Sequence, residues 1–179
     1  MAPSTGTPRN VGPSSSKQDA DRATIIRLID EVYQGPAWHG PSVRACLRGV
    51  DHLTAAWRVA RKRNTIWELM LHLAYGRHVF LVRLGARPLG RFPRKLRASW
   101  WPEMPPEQSS AAWAADLELF DTLHGRLLQA IADAPETSLR RVRSGKKFTM
   151  AHELLSVAPH DAYHAGQIRL LALTAAHAK

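Results

Sequence analysis

The residues of this sequence best suited to chemistry are two histidines near its C-terminal end. His160 and His164 stand in the segment HDAYHAGQI, within a run rich in alanine and leucine that predicts a helix. Residues four apart lie on one face of a helix, about one turn from each other. A helix offers two imidazoles to one metal ion at this spacing. The pair alone also fits two ordinary histidines that are hydrogen-bonded or solvated.

A metal site of this kind needs a third protein ligand, and His72 is the best candidate. It lies in a second predicted helix, on the face that it shares with Glu68 and Gly76. A catalytic site with three protein ligands leaves a position open for water or substrate. Imidazole nitrogens suit several divalent ions. Zinc, nickel, copper and iron all suit such a set of nitrogens, and the residues alone do not choose among them.

Three further residues are candidates for catalytic roles. Glu68 precedes His72 by one turn, so it could orient that imidazole or act as a base on water, and a role in capping the helix start is equally open. Gln167 follows His164 by three residues and could orient a ligand or pack between helices. His39 belongs to the bend GPAWHGP and could line the mouth of a pocket. The alternative is a structural turn whose tryptophan packs on the core.

The two neighbours of His160 affect how it is held. Asp161 is another carboxylate that could orient its imidazole. Pro159 removes a helical hydrogen bond, which predicts a bend within the helix. Such a bend could tune the aim of both histidines or be a tolerated local kink. A third arrangement is a helix that begins near Pro159 after a separate turn.

Long helices must position these residues. Thr65 and Glu68 have capping-box spacing, and Gly85 marks the end of the same helix. The connection over 85–105 is long and rich in arginine and proline, and residues 140–148 could form a short ribbon. The pattern predicts an all-α four-helix bundle. Apolar spacing and stop signals place its helices at about 19–34, 64–85, 106–133 and 149–175, with a short helix over 41–49.

Composition limits the class of protein. The chain has 179 residues, enough for one domain over 19–179 after a Pro/Ser/Gly-rich tail over 1–18 that we expect to be disordered. The only cysteine, Cys46, excludes an internal disulfide and fits a reducing cytoplasm, where we expect it to be a buried structural thiol. No apolar run reaches the roughly 20 residues of a membrane helix, so we expect no membrane partner.

The net charge of +10 raises an alternative function. Basic residues cluster over 58–63, 91–97 and 140–147, and with nearby tryptophans they could bind nucleic acid through phosphates and stacking. A solvated basic surface is the ordinary explanation, and nucleic acid is not the expected partner. The same charges could steer an anionic substrate towards the site.

Taken together, these motifs resemble a known family. HDAYHAGQI is similar to the C-terminal signature of the DinB/YfiT-like family of metal-dependent proteins, and IWELMLHL matches the pattern around that family's first histidine. GPAWHGP, and Trp101-Pro102 followed by Trp113, resemble one branch of it. The resemblance covers residues 19–173. It implies a four-helix bundle with an unusual connection order and a divalent metal held by three histidines, which map onto His72, His160 and His164.

The resemblance also implies a function. Some relatives are thiol-dependent transferases or isomerases, so the leading expectation is an enzyme whose metal activates a low-molecular-weight thiol or water for attack on a small-molecule substrate. The alternatives are a metal-dependent hydrolase with Glu68 as base, a non-enzymatic metal-binding stress protein, and the basic nucleic-acid binder. A homodimer formed through exposed apolar helix faces is a further expectation.

Overall fold

The described part of the protein is mostly helical, which confirms the predicted all-α class in its coarse form. A computed structural model describes residues 14–86 and 90–178. Most of the predicted tail lies outside these residues, and the first helix begins at Ser14 rather than near residue 19. The elements are α1 Ser14–Tyr33, α2 Val43–Leu47, α3 His52–Ala56, α4 Ile66–Leu84, β1 Leu96–Ala98, β2 Trp101–Pro102, α5 Ser110–Asp133, α6 Glu136–Arg140, α7 Met150–Leu155 and α8 Val157–His177.

Helix α4, which carries His72, begins and ends where the sequence predicts. The hydroxyl of Thr65 accepts the backbone N–H of Glu68, and the Glu68 carboxylate accepts the backbone N–H of Thr65. This reciprocal pair satisfies two donors that a helix start leaves unpaired. Gly85 ends the helix in the left-handed conformation, with a φ of 77°.

The four long helices α1, α4, α5 and α8 pack around a shared core. Helix α1 packs against α5 and α8, and α4 packs against the same two helices. Burying a large apolar side chain contributes about 1.5–3 kcal/mol, so this core dominates the stability of the fold. It also brings α4 beside α8, and therefore His72 beside the histidine pair. Fully buried members from the four helices include Ile29, Met70, Phe120, Leu127 and Ile168.

The helix predicted over 149–175 is two helices, so the prediction of one continuous helix was wrong. Helix α7 ends at Leu155, and α8 begins at Val157 directly after Ser156. Pro159 is the third residue of α8, where a backbone N–H has no partner within the helix in any case. This arrangement is closest to the alternative in which a new helix begins near Pro159.

The connection between α4 and α5 contains a hairpin that the sequence analysis missed. Leu96 pairs with Pro102 and Ala98 with Trp101, in antiparallel orientation. The turn places Trp100 in the left-handed region, with a φ of 69°, which is unusual for a bulky residue. Strand β2 packs against α4. The hairpin therefore covers the helix that carries His72.

Other boundaries differ by a few residues. Helix α5 begins at Ser110 rather than near 106, because the Ser109 side chain caps it by accepting the backbone N–H of Ala112. The ribbon considered over 140–148 is reduced to one bridge between Val142 and Thr149. Within the described ranges, no helix is both long enough and apolar enough to span a membrane.

Candidate metal centre

Three histidines from two helices meet beside the hairpin. Nε2 of His72 lies 3.1 Å from Nε2 of His160. One ring nitrogen from each of His72, His160 and His164 lies within 4.8 Å of the other two. Metal–nitrogen bonds of about 2.1 Å bring neighbouring ligand nitrogens to about 3.0–3.4 Å, so the group needs only a small contraction to hold one ion. The three predicted ligands are therefore brought together.

The second ring nitrogens of two of these histidines are fixed by carbonyl oxygens. Nδ1 of His72 donates to the backbone carbonyl of Trp100, and Nδ1 of His164 donates to Oε1 of Gln167, each over 2.7 Å. A carbonyl only accepts, so each bond keeps the proton on Nδ1 and leaves a lone pair on Nε2. Metal-binding histidines usually donate their other N–H in this way. Gln167 thus contacts His164, the histidine that it was predicted to orient, and its catalytic role stays a prediction.

Burial keeps the rings of His72 and His164 neutral at ordinary pH. It lowers the pKa of His72 to about 4, although the hydrogen bond to Trp100 offsets part of the effect. Burial also lowers the pKa of His164, against the opposing influence of Gln167. Because only a neutral imidazole can bind a metal, both rings are in the form that a metal site requires.

The hairpin supplies one wall of the site. The ring of Trp101 stacks on His72 with a centroid distance of 4.2 Å and an angle of 12° between the planes. Its neighbour Trp100 turns its carbonyl to His72 while its ring lies 6.0 Å from that of Tyr75. The left-handed backbone of Trp100 is therefore part of how His72 is oriented. No local sequence signal marks this contact, because it joins residues 28 positions apart.

A buried ion pair lies behind His160. The side chains of Arg77 and Asp161 are each 1% exposed, and Nη2 of Arg77 lies 2.5 Å from Oδ2 of Asp161. The guanidinium also lies 5.1 Å from the ring centre of Tyr33 and 4.7 Å from that of Phe120. Burial favours a raised pKa for Asp161, but Arg77 lowers it overall, so the carboxylate stays ionised. Nδ1 of His160 lies 3.7 Å from Oδ1 of Asp161. The sequence analysis did not identify Arg77 as part of this arrangement.

The hydrogen bonds of Glu68 fit the capping alternative. Oε2 accepts the backbone N–H of Thr65, while Oε1 lies 2.9 Å from Nη2 of Arg58 and 3.5 Å from Nη1 of Arg97. Burial favours a raised pKa for Glu68, but the hydrogen bonds and the two arginine charges lower it overall. A lowered pKa makes a carboxylate a weaker base. Its role as a general base stays a prediction.

The aromatic and histidine side chains of the GPAWHGP bend are both exposed. His39 is exposed in a turn closed by a bridge between Ala37 and Gly40. Trp38 is fully exposed, so the alternative in which it packs on the core is wrong. His39 is not among the described residues that line the cavity beside the cluster, and its catalytic role stays a prediction.

Two other side chains carry reactive atoms, a thiol and a phenol. Cys46 is buried, as predicted, and its Sγ lies 3.8 Å from the carbonyl of Pro41. Burial raises the pKa of its thiol, which suits a structural residue rather than a nucleophile. Tyr163 differs from Cys46, because its side chain is 65% exposed and lies on the outer face of α8.

A cavity of about 450 Å³ opens beside His72 and His160. This volume is within the range of small-molecule sites. The side chain of His160 is 44% exposed, so the cluster is accessible from outside. Glu153 and Ser156 add polar atoms to the cavity. Its largely apolar lining comes from Leu73, Phe80, Trp100, Trp101 and Val157.

Several members of the basic clusters are engaged in ion pairs. Nη2 of Arg94 lies 2.6 Å from Oδ1 of the buried Asp116, and Nη2 of Arg143 lies 2.8 Å from Oε2 of Glu153. Charges used in this way are less available to phosphates. The pairs favour a structural role for these arginines over a nucleic-acid surface.

Comparison with known proteins agrees with the geometry. Residues 39–168 match the family model described as the DinB superfamily. The matched span covers more than two thirds of the chain and contains all three clustered histidines. No curated protein and no solved structure matches the chain.

Proposed function

The chain belongs to the DinB superfamily, and we propose that it is a metal-dependent enzyme acting on a small molecule. His72, His160 and His164 would hold one divalent ion, with zinc or nickel favoured and manganese or iron as alternatives. The observation that carries the proposal is the cluster itself. Its nitrogens lie within 4.8 Å of one another, and two of the rings have their other nitrogen fixed by a carbonyl.

The donor set fits such an ion on chemical grounds. Nε2 of His72 faces Nε2 of His160 across 3.1 Å, and the bond from Nδ1 to Trp100 leaves the lone pair of His72 on the Nε2 that faces this partner. Burial disfavours protonation of that lone pair, because it lowers the pKa of the His72 ring to about 4, so the nitrogen stays available to a cation. A bound divalent ion would lower the pKa of a thiol or a water and fix its position.

The residues around the cluster have separable tasks. Trp100 and Gln167 hold two imidazoles in the binding tautomer through their carbonyl oxygens. Trp101 covers His72 and limits access of water from that side. The exposed edge of His160 leaves a path from the cavity to the cluster. A substrate in the cavity would thus lie beside the ion that the three histidines hold.

A thiol-dependent transferase or isomerase is the reaction class that we propose. Support comes from the resemblance to thiol-dependent relatives and from the lowered pKa of Glu68, which makes the hydrolase alternative less favourable. A low-molecular-weight thiol would then be the second substrate. Turnover of small electrophiles with and without such a thiol separates this class from a hydrolase.

Related expectations about architecture belong to the same proposal. We infer that the long helices form a four-helix bundle in which α1 and α4 are diagonal, because both pack against α5 and α8. Exposed Leu170 and Leu173 on α8 support a homodimer, which light scattering would detect. A cytoplasmic location is supported by the single free cysteine.

Metal content tests the proposal directly. Protein purified without an affinity tag should carry about one equivalent of a divalent metal by mass spectrometry. His72→Ala and His164→Ala should each lose it, because two histidines remain where at least three protein ligands are needed. His152→Ala is the matched control, since His152 is an exposed histidine at the start of α7 outside the cluster.

Two results would contradict the metal site. One is a wild-type protein that stays metal-free after reconstitution with Zn, Ni, Mn and Fe. The other is an equal metal content in His72→Ala and His152→Ala. Loss of the fold on metal removal would instead favour a structural metal.

A further inference from the structure

The cavity beside the histidines extends well beyond the metal cluster. Helix α4 and the α7–α8 segment run antiparallel along it, because His72 meets His160 at one end and Arg83 meets Glu153 at the other. The first pair is separated by 3.1 Å between Nε2 atoms, and the second by 3.2 Å between Nη1 and Oε2. A rise of 1.5 Å per residue places these ends about 16 Å apart along α4. The cavity of about 450 Å³ lies within this interval.

Aromatic side chains form much of the cavity wall. Phe80 comes from α4, and Trp100 and Trp101 come from the hairpin. The guanidinium of Arg83 lies 5.2 Å from the ring centre of Phe80 and 5.3 Å from that of Trp100, so it holds the two rings near each other. The left-handed backbone of Trp100, with a φ of 69°, is a strained conformation that the surrounding contacts maintain.

Gly76 gives the cavity its depth. It lies one turn after His72 and one turn before Phe80, on the same face of α4. Gly76 lines the cavity, and no atom lies within 4 Å of the position that its Cβ would take. Glycine within a helix is unfavourable relative to alanine, so its place here is not explained by helix formation. Its missing side chain leaves open the space between His72 and Phe80.

We propose that this cavity binds the planar aromatic body of the substrate. The ring lies over Gly76, contacts Phe80 and Trp100, and directs the reactive end of the molecule towards His72. The assignment of the reactive end rests on the proposed function. A flat ring gains favourable contacts with aromatic walls that an aliphatic body of the same size does not, and Gly76 is the residue that admits it.

The test is a binding measurement on metal-free protein in the presence of a chelator. The probes are 2-naphthol and its saturated analogue decahydro-2-naphthol, titrated by ligand-detected NMR. The wild type should bind 2-naphthol about threefold to tenfold more tightly than the saturated analogue. Gly76→Leu fills the space over α4 and should weaken 2-naphthol binding by about tenfold or more.

Gly125→Leu is the matched control for that substitution. Gly125 is an exposed glycine inside α5, and a Cβ there also meets nothing within 4 Å. This variant should keep the wild-type affinity for 2-naphthol. If Gly76→Leu does not fold by circular dichroism, Gly76→Ala replaces it, with a smaller loss of affinity expected.

The results separate the cavity from the metal site. Equal 2-naphthol affinity in the wild type and the folded Gly76 variant overturns the proposal, as does equal affinity for the two probes. Wild-type protein that binds 2-naphthol at this site but takes up no metal supports the cavity and refutes the proposed function. Protein that takes up metal but does not bind 2-naphthol supports the proposed function and refutes the proposed role of the cavity.

Discussion

Replacing Arg77 with methionine tests how much the buried ion pair behind His160 contributes to the stability of the fold. Arg77 and Asp161 are each 1% exposed and are joined over 2.5 Å. Methionine keeps much of the length and apolar surface of arginine but removes its charge. Asp161 then remains as a buried carboxylate without its cationic partner, so Arg77→Met should be strongly destabilising.

The size of the effect follows from the burial of the pair. Removing one partner of a fully buried ion pair costs about 3–5 kcal/mol. In a protein of 150–250 residues each kcal/mol lowers the melting temperature by about 2–4 °C, so the melting temperature should fall by about 10 °C. The double variant Arg77→Met/Asp161→Leu leaves no unpaired charge. Its free energy of unfolding should be about 2–3 kcal/mol higher than the value obtained by adding the losses of the two single variants.

The assay is urea unfolding of metal-free protein, read as a double-mutant cycle. Arg27→Met is the matched control, because Arg27 makes the same type of ion pair with Glu31 on the surface, where its side chain is 61% exposed. An exposed pair of this kind contributes less than about 1 kcal/mol. Strictly additive losses in the cycle, or an equal loss in Arg27→Met, would refute the argument that burial makes the Arg77 pair important.

Two further predictions concern other buried polar groups. Burial is the main cause that lowers the pKa of His124 to about 4, whereas a histidine in the unfolded chain has a pKa near 6.5. The contribution of the neutral His124 to stability is therefore complete above about pH 6.5 and is lost as the pH falls towards 4. Between pH 7.5 and 4.5, the free energy of unfolding of His124→Gln should therefore fall by about 2–3 kcal/mol less than that of the wild type, as measured by urea unfolding. The exposed His152→Gln variant is the control, and its free energy of unfolding should fall as much as that of the wild type. Identical decreases in the two variants would contradict the prediction. Glu68→Gln should keep the hydrogen bond at the helix start and the full metal content. It loses the charge that pairs with Arg58, and this loss should lower the free energy of unfolding by about 1.5–3 kcal/mol. A variant of normal stability that no longer retains metal would count against the capping role.

Helix boundaries could be predicted where short-range contacts decide them. The capping box of Thr65 and Glu68 and the left-handed Gly85 define α4 through residues that are close in sequence. The common face of His160 and His164 follows from helical periodicity alone. The break at Ser156 was harder to predict, because Pro159 is equally compatible with a kink and with a first helical turn.

The roles of other residues depended on contacts that no local pattern specifies. Glu68 has the spacing of both a cap and a base, and only its neighbours Arg58 and Arg97 distinguish these roles. His39 lies at a bend that fits a pocket mouth, and only the folded structure shows that it is not among the described residues lining the cavity beside the histidines. Arg77 lies four residues after Leu73 in an apolar helix, and its partner Asp161 lies 84 positions away.

The sequence by itself determined the residue types of the site, the helices that carry them and the family to which they belong. Tertiary packing decided what those residues contact. His72 reaches His160 across 88 positions because α4 packs against α8, and Trp100 reaches His72 because the hairpin folds over α4. Capping and periodicity act within a turn or two of the chain and are visible in the sequence. Contacts between distant segments depend on how the whole apolar core is buried, which only the folded structure shows.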